Sequence, residues 1–387
     1  MCIGENYGDC VKNCGMCCMA RDLETPAFNG IENKGVDAVS KVIVSNADWR
    51  GKEMTARNDW VHRFTEGELA EIENALRTFQ KTGKTIGEME KSDFPLNLLP
   101  ERFNTVRDYL EDGPGLFLLR GIPVDKYSKD ELRLIYWGLG KHFGTAVSQS
   151  SDGDLLGDVR NLGVDINSPK GRGYKSNQKL TYHTDSADVV ALLVLRTAKS
   201  GGLSMIVSSL AIHNEIARTR PDLLEVLYQP FYWSWQSQEP AGGLPYYQQP
   251  IYTLHNGKFS SRYIRTHIIS AQRFPEVPRL TPAQEEAMAL IDTLAASQEF
   301  QFSMMFEPGD LQLLNNHVTY HSRTQFDDYQ ELDRRRHLLR MWLSVPNSRD
   351  LSPQLGTIYQ DQKGGTVRGG FPSRTGNYAY ETERPVD

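Results

Sequence analysis

Helical periodicity occupies the chain between residue 66 and about residue 145, and from about residue 180 it gives way to short apolar runs of strand length. That switch constrains the fold more than any other feature. Residues 66–82 (EGELAEIENALRTFQKT) place Leu69, Ile72 and Leu76 on one helical stripe. A second helix is expected at 100–112. A strand follows at 116–119, inside GPGLFLLRGIPVD. Ser128 with Glu131 three residues on forms a capping box for SKDELRLIYWGLGKHFG. The later apolar segments are 189–198, 203–209, 299–306, 310–315 and 336–345. Among them stand a helical insert at 210–227, a hairpin turning at His255-Asn256-Gly257, and a helix at 281–297 capped by Thr281 with Pro282 at its first position. Helices early and many short strands late predict an α+β domain built on a β-sandwich or jelly roll. The alternation is too irregular for a doubly wound sheet, and no G-x-G-x-x-G or Walker motif is present.

The 387 residues divide by texture into a Cys-containing N-terminal extension (1–60), a main domain (61–345) and a Gly-rich tail (346–387). All five cysteines lie within the first 18 residues. A secreted disulfide framework would spread them through the fold, and no second ligand pair follows at zinc-site spacing, so a tail with incidental thiols is favoured over a zinc or iron–sulfur site. A net charge of −6 with no basic stripe argues against nucleic acid. No apolar run approaches the roughly 20 residues of a membrane helix, and the N-terminal stretch lacks a signal peptide's charged and apolar regions. The expectation is a cytoplasmic protein, with homo-oligomerisation left open.

His183-Thr184-Asp185 carries the chemistry. Side chains two apart on an extended chain share a face, so an imidazole and a carboxylate can meet one ion. One distant histidine, His317 or His321 after the strand 310–315, would complete two nitrogens and one oxygen. That set suits non-haem iron(II) and leaves coordination positions open. An H-x-D pair alone is weak evidence. The run Arg334–Arg340 strengthens it, because a guanidinium holds a carboxylate bidentately and keeps its charge. Arg336, Leu338, Arg340 and Trp342 share one face of a strand, and Arg340 needs a partner inside an apolar segment. Asn177, Leu180 and Tyr182 precede the metal pair and are expected at the mouth of the pocket. Asn177 serves equally well as a turn residue or as a hydrogen-bond donor to substrate. The aromatic segment 230–250 is a candidate lid, with a surface connection as its plainer role.

HTD, then SGG about sixteen residues on, then NNHxxxHxRTxF and RRHLLRxWL, together resemble the TauD/TfdA family of dioxygenases over most of residues 114–345. The resemblance implies a double-stranded β-helix (jelly-roll) core buttressed by helices. It also implies iron(II) held by His183, Asp185 and His321, with His317 as a neighbour. Ser204 falls at the position of the hydroxyl that contacts 2-oxoglutarate, and Arg336 matches the arginine that anchors it. Arg340 resembles the position that binds an acidic substrate group, although two arginines so close could exchange roles. The implied reaction consumes 2-oxoglutarate and dioxygen, releases succinate and CO2, and oxidises a C–H bond of a small anionic substrate such as an amino acid. Hydroxylation is expected first, with desaturation or ring closure also within reach. Two rivals are a cupin-like oxygenase or isomerase that does not use 2-oxoglutarate and a non-catalytic metal-binding jelly roll.

Overall fold

The computed structural model describes residues 41–164 and 173–381. The cysteine cluster lies outside them. Seven strands form the larger sheet: β1 (Val61–Arg63), β2 (Leu116–Arg120), β3 (Thr145–Val147), β4 (Gly157–Arg160), β5 (Val189–Arg196), β8 (Leu311–Asn315) and β10 (His337–Ser344). Its order is β1-β2-β8-β5-β10-β3, with β4 also paired to β10. A smaller sheet runs β7-β6-β9, from Phe302–Met304, Ser204–Ser208 and Thr319–Arg323. The architecture is α+β: a double-stranded β-helix whose larger sheet is backed by helices.

Period-two patterning explains how the larger sheet serves two cores. On β5, Val189, Ala191, Leu193 and Leu195 pack outward, whereas Val190 and Val194 face the other sheet. On β10, Leu339, Met341 and Leu343 pack outward while Leu338 and Trp342 face inward. The outward side chains meet the helices Glu66–Thr82, Leu99–Asp112 and Lys129–Phe143. The expected capping box forms, with Glu131 N donating to Ser128 Oγ at 3.2 Å, and a further one forms at Thr65, whose Oγ1 accepts from Glu68 N at 3.2 Å. The expected helical insert is two helices, Ser209–Thr219 and Pro221–Leu227, because Pro221 starts a second one. The hairpin turns at Asn256 and Gly257, with φ of 48° and 74°, which fits a two-residue type I′ turn.

The segment 230–250 is a ribbon, Phe231–Ser234 against Tyr246–Gln249, with Trp233 and Tyr247 buried in the inner core. None of its residues is among those lining the cavity described below. Beyond β10 the chain is held by Arg368. This residue is buried, and its Nε donates to Asp188 Oδ1 at 2.9 Å. No helix among the described residues is long and apolar enough to cross a membrane.

Candidate active site

His183 and His321 are brought together by a ladder rather than by a loop. His183 N donates to His321 O at 3.0 Å, and His321 N donates back to His183 O at 2.9 Å. Residues exchanging both bonds in an antiparallel pair stand directly opposite, with side chains on one face. Their ring centroids are accordingly 4.4 Å apart. Asp185, two residues on, reaches the same point. Asp185 N donates to Asn316 Oδ1 at 2.9 Å, and Asn316 Nδ2 donates to Ala187 O at 3.0 Å. One ligand atom from each of His183, Asp185 and His321 lies within 4.8 Å of the others. His317 stands apart, bonded to buried Asp188 at 2.9 Å.

The electrostatics keep this trio ready for a cation. His183 Nδ1 lies 2.8 Å from the Thr181 carbonyl, which can only accept, so Nδ1 is the donor there and Nε2 is the nitrogen left for a metal. Burial pushes His321 down to about 3, and the charges of His183 and Arg340 push the same way against Asp185, so its imidazole is neutral. Burial alone would raise Asp185. Arg340 and the two imidazoles outweigh it and hold the carboxyl below its ordinary value. Asp185 Oδ2 and His321 Nδ1 are buried without a hydrogen-bond partner among the described residues. Such orphans are costly unless something binds there.

A cavity of about 60 Å³ opens beside the trio. Ser204, Arg323, Arg336 and Arg340 line it together with His183 and His321. Ser204 Oγ is 3.1 Å from the Gln312 side-chain amide. Arg336 is 5 % exposed, and its Nη1 has no partner among the described residues. Burial and the neighbouring Arg323 charge push it down to about 9. Arg340 is bound otherwise. Its Nε donates to Gln149 Oε1 at 2.6 Å, its Nη1 is 3.7 Å from Asp185 Oδ1, and its guanidinium lies over Tyr174 and Trp342.

Asn177 and Tyr182 are not among the lining residues. Asn177 Nδ2 donates to the Phe326 carbonyl at 3.2 Å, and Tyr182 is buried in the inner core. Sequence reasoning missed Tyr174, Gln312 and Arg323 as cavity residues. Gln312 was detectable, as a polar residue at an inward position of an apolar strand. Tyr174 sits in a segment with no strand pattern.

Solved structures share this fold. Asparagine oxygenase in complex with Fe(II), 2S,3S-3-hydroxyasparagine and succinate aligns at a TM-score of 0.57 and 16% identity, over 73% of this chain and 93% of its own. The non-heme iron oxygenase OrfP with Fe and alpha-ketoglutaric acid aligns at 0.57 and 14% identity, over 79% of this chain and 99% of its own. In sequence, FR-33289 synthase of Streptomyces rubellomurinus is 31% identical over 331 residues, covering 83% of this chain and 96% of the relative. A taurine hydroxylase-like protein of Stachybotrys chartarum is 28% identical over 303 residues, covering 76% of this chain and 77% of the relative. The model of taurine catabolism dioxygenase TauD, TfdA family, matches residues 78–342. The class that this match and the fold define is that of the iron(II)- and 2-oxoglutarate-dependent dioxygenases. Within that class, the chain belongs to the TauD/TfdA family. The residues fit both groups. Two nitrogens and a carboxylate suit ferrous iron, and a buried guanidinium with an unmatched donor suits a carboxylate.

Proposed function

We propose that this dioxygenase hydroxylates a small anionic substrate, with an amino acid or related acid as the leading class. The observation that carries the reading is the separation of two cations in one cavity. Arg336 is buried with a free donor, whereas Arg340 lies against Asp185 over two aromatic rings. His183, Asp185 and His321 would hold the iron. Arg336, with Ser204 beside it, would anchor the far carboxylate of 2-oxoglutarate and so fix its pose. Arg340 would take the substrate's acidic group, which sets a C–H bond at a constant distance from the trio. Tyr174 and Trp342 would wall that position and exclude water. Bound iron and 2-oxoglutarate supply, with dioxygen, an oxidant for a C–H bond and release succinate and CO2. The relatives favour the same class: one solved structure is an asparagine oxygenase, and another holds (3S)-hydroxy-L-Arg. Membership in the family argues against the cupin-like and non-catalytic alternatives.

The test is succinate formation from 2-oxoglutarate with added iron(II), run against a panel of amino and sulfonic acids. A carboxylate-bearing amino acid should stimulate it, and His183→Ala should abolish it. Stimulation by uncharged compounds alone would reject the anionic substrate.

A further inference from the structure

Arg323 lines the cavity next to Arg336, and neither the iron site nor the substrate position uses it. It is 5 % exposed. Both guanidiniums lie over one ring, Phe326, at 4.6 Å for Arg323 and 5.1 Å for Arg336. Burial pushes Arg323 down to about 10, and its charge depresses Arg336 in turn. Asp328, the nearby carboxylate, opposes this for both arginines, and its Oδ1 accepts from Arg336 N at 2.8 Å. Arg323 Nε is buried without a hydrogen-bond partner among the described residues. At its other end, Nη2 donates to the Ser176 carbonyl at 2.8 Å and to the Gln178 carbonyl. Those carbonyls belong to the segment that carries Tyr174 over Arg340 at 4.8 Å and supplies Leu180 to the cavity.

We infer that Arg323 is a positioning residue that ties the cosubstrate end of the cavity to the 173–180 segment on its substrate side. The inference rests on Arg336 being the 2-oxoglutarate anchor. Two buried guanidiniums beside one another repel, and a bound carboxylate relieves that repulsion. The carboxylate thereby favours the pose in which Arg323 also grips the 176 and 178 carbonyls. A ligand that stabilises one pose shifts the population of everything tied to it, and the coupling is reciprocal. Cosubstrate would then order Tyr174 and Leu180 through Arg323.

Hydrogen exchange of the 173–180 amides, with iron(II) and with or without saturating 2-oxoglutarate, tests this. Calorimetry of 2-oxoglutarate binding runs alongside. In the wild type, the cosubstrate should slow exchange there. Arg323→Lys keeps the charge but cannot serve both carbonyls and the cavity, so it should bind 2-oxoglutarate within about tenfold of wild type yet lose the added protection. Arg323→Gln keeps an amide donor without the charge. It should weaken binding by about five- to tenfold and lose the protection too. Wild-type protection in both variants at saturation overturns the inference, as does a wild type whose segment ignores bound 2-oxoglutarate. The underlying reading fails separately, if Arg336→Ala binds 2-oxoglutarate normally. Unchanged exchange in β2 of the Lys variant separates a local effect from misfolding.

Discussion

Arg336 and Arg340 stand four residues apart and meet different surroundings. Arg336 has burial without a matched acceptor, and Arg340 has Gln149, Asp185 and two rings. Their truncations should therefore separate. Arg336→Ala should cost at least about 2 kcal/mol of 2-oxoglutarate binding, roughly thirtyfold in the cosubstrate KM. Arg340→Ala should leave the cosubstrate KM within about threefold and raise the substrate KM by a similar thirtyfold. Steady-state kinetics with each component varied in turn decides it, and an equal effect on both KM values would merge the two roles. The same burial that leaves Arg336 Nη1 without a partner among the described residues keeps His321 neutral. A histidine is therefore available as a ligand at neutral pH, where an exposed one would be partly protonated.

At the scale of elements, the link between β5 and β6 shapes the cosubstrate end. Gly201 and Gly202 have φ of 72° and 71°, conformations that side chains rarely adopt. A Cβ at Gly202 would also lie 3.3 Å from Arg336 Nε. Gly202→Ala should thus lose about 1–2 kcal/mol of stability and raise the cosubstrate KM. Gly83→Ala is the control. Its φ is 67° at a helix end, with nothing within 4 Å, so it should lose stability alone. Urea unfolding and kinetics on both variants measure this, and a matching KM change in both would refute the contact argument. The ladder has an equally direct effect on the site. A slip of one residue between the 183 bridge and β9 would turn His321 away from His183.

At the scale of the molecule, a buried charge network joins the C-terminal segment to the chain beside Asp185. Asp188 Oδ1 accepts from Arg368 Nε and from His317 Nε2, both at 2.9 Å, and Arg368 Nη2 donates to Arg349 O at 2.7 Å. Arg368→Ala leaves a buried carboxylate without its cation and should destabilise the protein by about 3–5 kcal/mol in urea unfolding. A loss below about 1 kcal/mol would mean that the segment does not brace the core. Buried histidines set the pH response. Burial holds His321 at about 3 and His213 and His317 at about 4, below the ordinary histidine value. The unfolded chain therefore takes up protons first as pH falls. Stability that these groups contribute is present above about pH 6.5 and is lost progressively towards pH 4. The urea midpoint of iron-free protein should drop between pH 7 and pH 5, with a shallower slope in His213→Gln.

Much of this was legible in one dimension. Capping chemistry and 3.6-residue periodicity are local, so the helix Glu66–Thr82 and the Thr281 cap could be read from their own residues. Period-two alternation was equally local, and it put Arg336 and Arg340 on the inner face of their strand together with Leu338 and Trp342. The motif order identified the family and the H-x-D pair. Leu180, Ser204, Arg336 and Arg340 were expected at the cavity and line it, but the rest of its wall was not legible. Arg323, Tyr174 and the retreat of Asn177 and Tyr182 depend on which chain segments cross at a point, and no local pattern encodes that. The burial of Phe231, Trp233 and Tyr247 in the 230–250 segment is likewise decided by neighbours far away in sequence. Residue types and their order were enough to say which side chains could bind a ferrous ion and a carboxylate. Which of them share one cavity was set by folding in three dimensions, since that requires backbone ladders and side-chain clamps between residues more than a hundred positions apart.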